Sequence, residues 1–102
     1  MIDLISQRHT EVAELCRKHG VQRLEVFGSA ANESFDPESS DLDFLVTYQP
    51  LESGHHANAY FGLLFDLEDL FQRKIDLVMD RAIRNPDFRR GVDQSRQVIY
   101  AA

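Results

Sequence analysis

Apolar residues at Leu4, Ile5, Val12, Leu15 and Cys16 recur close to every 3.6 positions and give way to Gly20, a spacing that predicts one helix from Leu4 to His19. In Arg23-Leu24-Glu25-Val26-Phe27, Leu24 and Val26 alternate with charged residues, so a short strand is expected, broken at once by Gly28-Ser29. The polar stretch from Asn32 to Ser40 reads as a functional loop rather than a domain linker. Asp41 to Tyr48 is rich in β-branched and aromatic residues and ends at Gln49-Pro50, which marks a second strand. The two-residue period puts Asp41, Asp43, Leu45 and Thr47 on one face and Leu42, Phe44, Val46 and Tyr48 on the other. Between Ala57 and Arg73 the set Tyr60, Phe61, Leu63, Leu64, Leu67, Leu70 and Phe71 is helical in spacing and broad enough for the main core helix. A third strand is expected at Lys74 to Met79, a short helix around Ala82 to Val92 and a last strand near Gln97 to Ala101, an α+β outline.

The 102 residues suit a single domain, 1–102, with one core and no room for a second. Eleven Lys and Arg against 17 Asp and Glu give a net charge of -6, which disfavours direct nucleic-acid binding. The charge is uneven, because residues 81–102 carry five basic and two acidic side chains, and the end of the chain is suited to face an anion. A lone cysteine, Cys16, excludes an internal disulfide framework and points to a reducing compartment, the cytoplasm by default. Neither a signal peptide nor a membrane span is expected from the apolar pattern.

Asp41 and Asp43 on one strand and Asp76 on the next occupy segments that otherwise want apolar residues. Clustered carboxylates raise one another's pKa unless a divalent cation lies between them, and hard oxygen ligands suit Mg²⁺ or Mn²⁺ rather than zinc. Two positions apart on a strand, Asp41 and Asp43 project side by side, the arrangement that bridges one or two ions on one face. Gly28-Ser29, at a strand end, offers backbone N–H groups and a hydroxyl to a phosphate beside them. Together these residues suggest metal-assisted phosphoryl or nucleotidyl transfer. The plainer readings are a solvated strand end for Asp41 and Asp43, an ion pair of Asp76 with Lys74 or Arg73, and an ordinary turn at Gly28-Ser29. His55-His56 reads as loop, Cys16 as a buried thiol beside a surface His19, and the aromatic set Tyr60, Phe61, Phe65 and Phe71 as core. Arg84, Arg89 and Arg90 divide evenly between a solvated face and contact with a triphosphate or an acidic partner.

Phe27-Gly28-Ser29, ten residues, then Ser40-Asp41-Leu42-Asp43-Phe44-Leu45-Val46 and the later Ile75-Asp76-Leu77-Val78 resemble the signature of the polymerase-β-type nucleotidyltransferases. Within them the likeness is to the minimal nucleotidyltransferases, free-standing domains of about this length. The resemblance covers nearly the whole chain, to the Val98-Ile99-Tyr100 strand, and implies a small mixed β-sheet flanked by helices. It implies that Asp41, Asp43 and Asp76 are the catalytic and metal-binding residues, holding two Mg²⁺ ions, and that Asp76 helps activate the attacking hydroxyl. Gly28, Ser29 and Ser40 would be the nucleotide-binding residues, Ser40 in the lesser role of fixing the loop by hydrogen bonding. The implied reaction is attack of a hydroxyl on the α-phosphate of an NTP, with ATP the expected donor and pyrophosphate the product.

Minimal nucleotidyltransferases commonly act as antitoxins to a helical HEPN ribonuclease, either holding it in a complex or adding AMP to one of its tyrosines. A HEPN toxin in a hetero-oligomer is therefore the implied partner, and AMPylation the implied activity. The chain departs from many members in having Ala30-Ala31-Asn32-Glu33-Ser34 after Gly-Ser, without an arginine. Phosphate neutralisation then falls to Arg81, Arg84, Arg89 or Arg90. That departure feeds a second reading, an antitoxin that neutralises by binding alone. A small-molecule nucleotidyltransferase of the aminoglycoside-modifying kind is the third, disfavoured by the lack of an acceptor-binding domain.

Overall fold

In a computed structural model, which describes residues 2–31, 36, 41–50 and 55–102, four strands form one mixed sheet with helices on both faces. The chain runs α1 (Asp3–Ser6), α2 (His9–Lys18), β1 (Val21–Phe27), β2 (Leu42–Tyr48), α3 (His56–Phe71), β3 (Ile75–Met79), α4 (Pro86–Ser95) and β4 (Gln97–Ala101). The sheet order is β3-β2-β1-β4. β1 is antiparallel to β2 and β4, whereas β2 and β3 are parallel, joined by the α3 crossover that a parallel pair requires.

The predicted α+β outline holds, with local differences. The expected single first helix is two: Ser6 to Thr10 are all polar, so no apolar stripe spans the segment, and Arg8 leaves the helical region at φ -106°, ψ 14°. β1 begins two residues early because Val21, fully buried, pairs with Tyr48. α4 starts at Pro86 rather than Ala82, since Asn85 Oδ1 accepts the N–H groups of Asp87 and Phe88 and proline fits the first helical turn. Asp80–Ala82 forms a separate short 3-10 turn.

The alternation read for β2 separates two cores. Leu42, Phe44 and Val46 join Leu24, Val26, Leu77, Ile99 and the inner residues of α2 and α3 in the larger one. Leu45 packs with Phe27 and Val92 on the other face, under α4, in a core of three buried side chains. α3 buries Leu63, Leu67 and Phe71, one row at four-residue spacing. Phe61 and Phe65, expected in the core, lie 50% and 61% exposed and stack on each other, because a helix lying on one sheet buries only one side. No helix among the described residues is long and apolar enough to cross a membrane.

Candidate active site

β1 delivers the chain to Gly28, which turns with φ +69° into the 3-10 turn Gly28–Ala30. Phe27 pairs with Asp43 across the antiparallel ladder, so the turn stands against that carboxylate. A Cβ on Gly28 would lie 2.8 Å from Asp43 Oδ2. Glycine is thus required twice, for the left-handed backbone and for the close approach. The Gly28 N–H donates to Ser95 Oγ at 3.0 Å, and Ser95 Oγ donates to the Gly91 carbonyl at 3.1 Å. That N–H, expected to face a phosphate, is already engaged by the end of α4. Ser29 follows it, half-buried. Ser40 lies outside the described residues.

The parallel register of β2 and β3 sets Asp43 opposite Asp76. Burial pushes the Asp43 carboxyl up to about 6, helped by a side-chain hydrogen bond with Asp76 and by the charges of Asp76 and Asp41. The three aspartates singled out from the sequence are therefore one electrostatic group. Asp41, just before β2 and 39% exposed, has Lys74 Nζ 3.7 Å away, so the lysine expected beside Asp76 serves Asp41 instead. Among the described residues no three His, Cys, Asp or Glu side chains are already gathered as a cation cage. The chemistry of the set nonetheless fits a hard divalent ion: the Asp43 and Asp76 oxygens share a hydrogen bond that such an ion would replace, and Asp41, now paired with Lys74, is the third carboxylate of the group.

The arginines are mostly occupied. Arg89 binds the Asp80 carboxylate and carbonyl, holding the Asp80 carboxyl below the usual range, and Arg90 pairs with Asp87. Arg96 reaches Glu25 at 2.6 Å, Asp93 at 2.8 Å and Asp80 at 3.4 Å. Glu25 is 4% exposed, the one buried charged residue among those described. Arg81 and Arg84 have no ion pair among the described residues. The Glu25 to Arg96 link was legible by the same signal as the aspartates, a charge in an apolar strand, but its partner is 71 positions away. Ser95 carried no signal, since an isolated serine at a helix end is ordinary.

Cys16 is buried, and burial pushes its thiol up to about 12, which leaves it inert. His19 is not a surface residue: its side chain is 13% exposed and its Nε2 lies 2.6 Å from Asp66 Oδ2, with room left by Gly62. His56 opens α3 instead of lying in a loop. A cavity of about 620 Å³ lies at the far ends of β2 and β3, bordered by Tyr48, His56, Met79 and Arg81. It is three residues along the ladder from Asp43 and Asp76, roughly 10 Å, and separate from the carboxylates.

A family model described as a nucleotidyltransferase domain matches residues 11–99. A Methanocaldococcus jannaschii protein, provisionally named a protein adenylyltransferase, is 32% identical over 96 residues, 94% of this chain and 90% of its own. A solved structure described provisionally as a minimal nucleotidyltransferase superposes with a TM-score of 0.74 at 33% identity, covering 94% of this chain and 95% of that one. A chain from the complex of a tri-AMPylated Shewanella oneidensis HEPN toxin with its MNT antitoxin superposes with a TM-score of 0.65. At 17% identity, over 96% of this chain and 73% of that one, it shows a shared fold.

Proposed function

Since the chain belongs to the nucleotidyltransferase domain family, we propose that it transfers AMP from ATP to a hydroxyl of a partner protein, and that this partner is a HEPN-type ribonuclease which the transfer neutralises. The observation that carries the reading is the Asp43–Asp76 pair, coupled to Asp41 and set against the Gly28 turn. The name of the Methanocaldococcus jannaschii relative supports a protein acceptor, and the Shewanella oneidensis complex supports the HEPN partner.

Asp41, Asp43 and Asp76 would hold Mg²⁺, or Mn²⁺ in its place; bound there, the metal supplies positive charge at the attacking and leaving oxygens of the α-phosphate. Asp43 is half-buried, so its carboxylate charge is poorly screened and its pull on a cation strong. Asp76, one strand over from Asp43, would help activate the incoming hydroxyl. Gly28 lets a phosphate approach the backbone beside Asp43, and Ser29 offers its hydroxyl and N–H. Of the four arginines singled out from the sequence, Arg89 and Arg90 are tied to aspartates and Arg81 borders the cavity away from the carboxylates.

A second reading, neutralisation by binding without transfer, has a specific observation behind it: Asp41 is turned to Lys74, and no arginine follows Gly28-Ser29. The test is label transfer from α-labelled ATP with Mg²⁺ to the protein encoded by the neighbouring gene, with Asp41→Ala plus Asp43→Ala as control. Label that vanishes in the control supports transfer. A tight complex without label supports binding alone.

A further inference from the structure

We propose that Ser95 is a positioning residue for the nucleotide, holding the Gly28–Ser29 turn at its working distance from Asp43; the inference rests on the reading of that turn as nucleotide-binding. Gly28 occupies a left-handed conformation within contact of the Asp43 carboxylate. Such a turn has two neighbours to choose between, the carboxylate and the helix. A turn whose Cβ position lies 2.8 Å from Asp43 Oδ2 needs a hold from the helix side, because closing further on the carboxylate would crowd the oxygens that a cation needs.

Ser95 removes that option. Its hydroxyl accepts the Gly28 N–H at 3.0 Å and passes its own hydrogen to the Gly91 carbonyl at 3.1 Å, so the bond is oriented from the helix side. The next residue, Arg96, is fixed to buried Glu25 on β1, the strand that leads into Gly28. Ser95 is thereby anchored to the same strand whose end it holds. Asp43 keeps its oxygens for Asp76 and for a cation, and Ser29 is the member of the turn left to a phosphate. No motif contains Ser95; the sheet order, with β4 beside β1, returns α4 to the turn.

The test is calorimetric titration of the Mg²⁺ complex of α,β-methylene-ATP into the wild type, Ser95→Ala and Ser95→Thr, with adenosine as a ligand lacking phosphates. Ser95→Ala is expected to weaken the triphosphate by about 3- to 10-fold, the worth of one ordinary hydrogen bond, and to leave adenosine unchanged. Ser95→Thr, which keeps the hydroxyl, restores the affinity. Equal triphosphate affinity in wild type and Ser95→Ala overturns the inference alone, as does an equal loss for adenosine, which marks a general loosening of the fold. Should Ser95→Ala not fold, a triphosphate affinity of Ser95→Thr more than threefold below wild type overturns it as well. A wild type that binds no triphosphate overturns the nucleotide-binding reading and this inference with it, an outcome told apart by the wild-type titration.

Discussion

Replacing Asp43 by Asn is expected to make the fold more stable while abolishing nucleotidyl transfer. The Asp43 carboxyl is held at about 6, against an ordinary value near 3.8, by burial and by Asp76 and Asp41. The folded protein therefore binds more protons than the unfolded chain between about pH 4 and pH 6, and stability falls as pH rises through that window. Two pKa units correspond to about 3 kcal/mol, and partial exposure to solvent screens this to about 1–2 kcal/mol above pH 6. Asn keeps the shape and removes the charge. In a domain of this length each kcal/mol moves the melting temperature by about 4–8 °C, so Asp43→Asn is expected to melt about 4–16 °C higher at pH 8. At pH 4 the difference shrinks towards zero. Thermal melts of both proteins at the two pH values, without divalent ions, measure the effect. Mg²⁺ at pH 8 should raise the wild type and leave the variant unmoved. An Asp43→Asn protein that melts below wild type at pH 8, or a gap that does not depend on pH, refutes the account of Asp43 as a strained carboxylate.

Arg96→Ala leaves buried Glu25 with only the longer 3.7 Å pair to half-exposed Arg23 and should cost about 3 kcal/mol, read as a fall in the denaturation midpoint, with Glu25→Gln in the same chain recovering part of it. Gly28→Ala forces a Cβ onto Asp43 Oδ2 and a left-handed alanine, so a loss of about 1–2 kcal/mol in chemical denaturation is expected together with loss of transfer.

The three aspartates and Gly28 were legible because each breaks a local rule: a charge in an apolar strand, a glycine at a strand end. The two-residue period also placed Asp43 and Leu45 on one face, and the two cores bear that out. What the sequence did not show depends on distant pairing. Lys74 is adjacent to Asp76 in spirit and to Asp41 in space, because the parallel register brings the start of β3 beside the start of β2. Arg89 looks free along the chain and is not, since the turn at Asp80–Ala82 folds an acid back onto α4. The split of the first helix was visible in its polar middle, but the apolar residues on either side keep a helical period and hide the break. Phe61 and Phe65 defeat the pattern outright, because α3 is apolar nearly all round and spacing alone cannot say which side meets the sheet.

The sheet divides the molecule into unequal halves. On the α2 and α3 side a broad apolar layer sets the cost of global unfolding, whereas α4 rests on three buried side chains and a chain of ion pairs through Arg96 and Arg89. Ion pairs with partly exposed members, such as Arg89 with Asp80, weaken as salt screens them, whereas apolar packing has no charge to screen. The side of the sheet that carries Ser95 is therefore the one held by fewer apolar contacts, and elements with few buried apolar contacts are where local opening costs least.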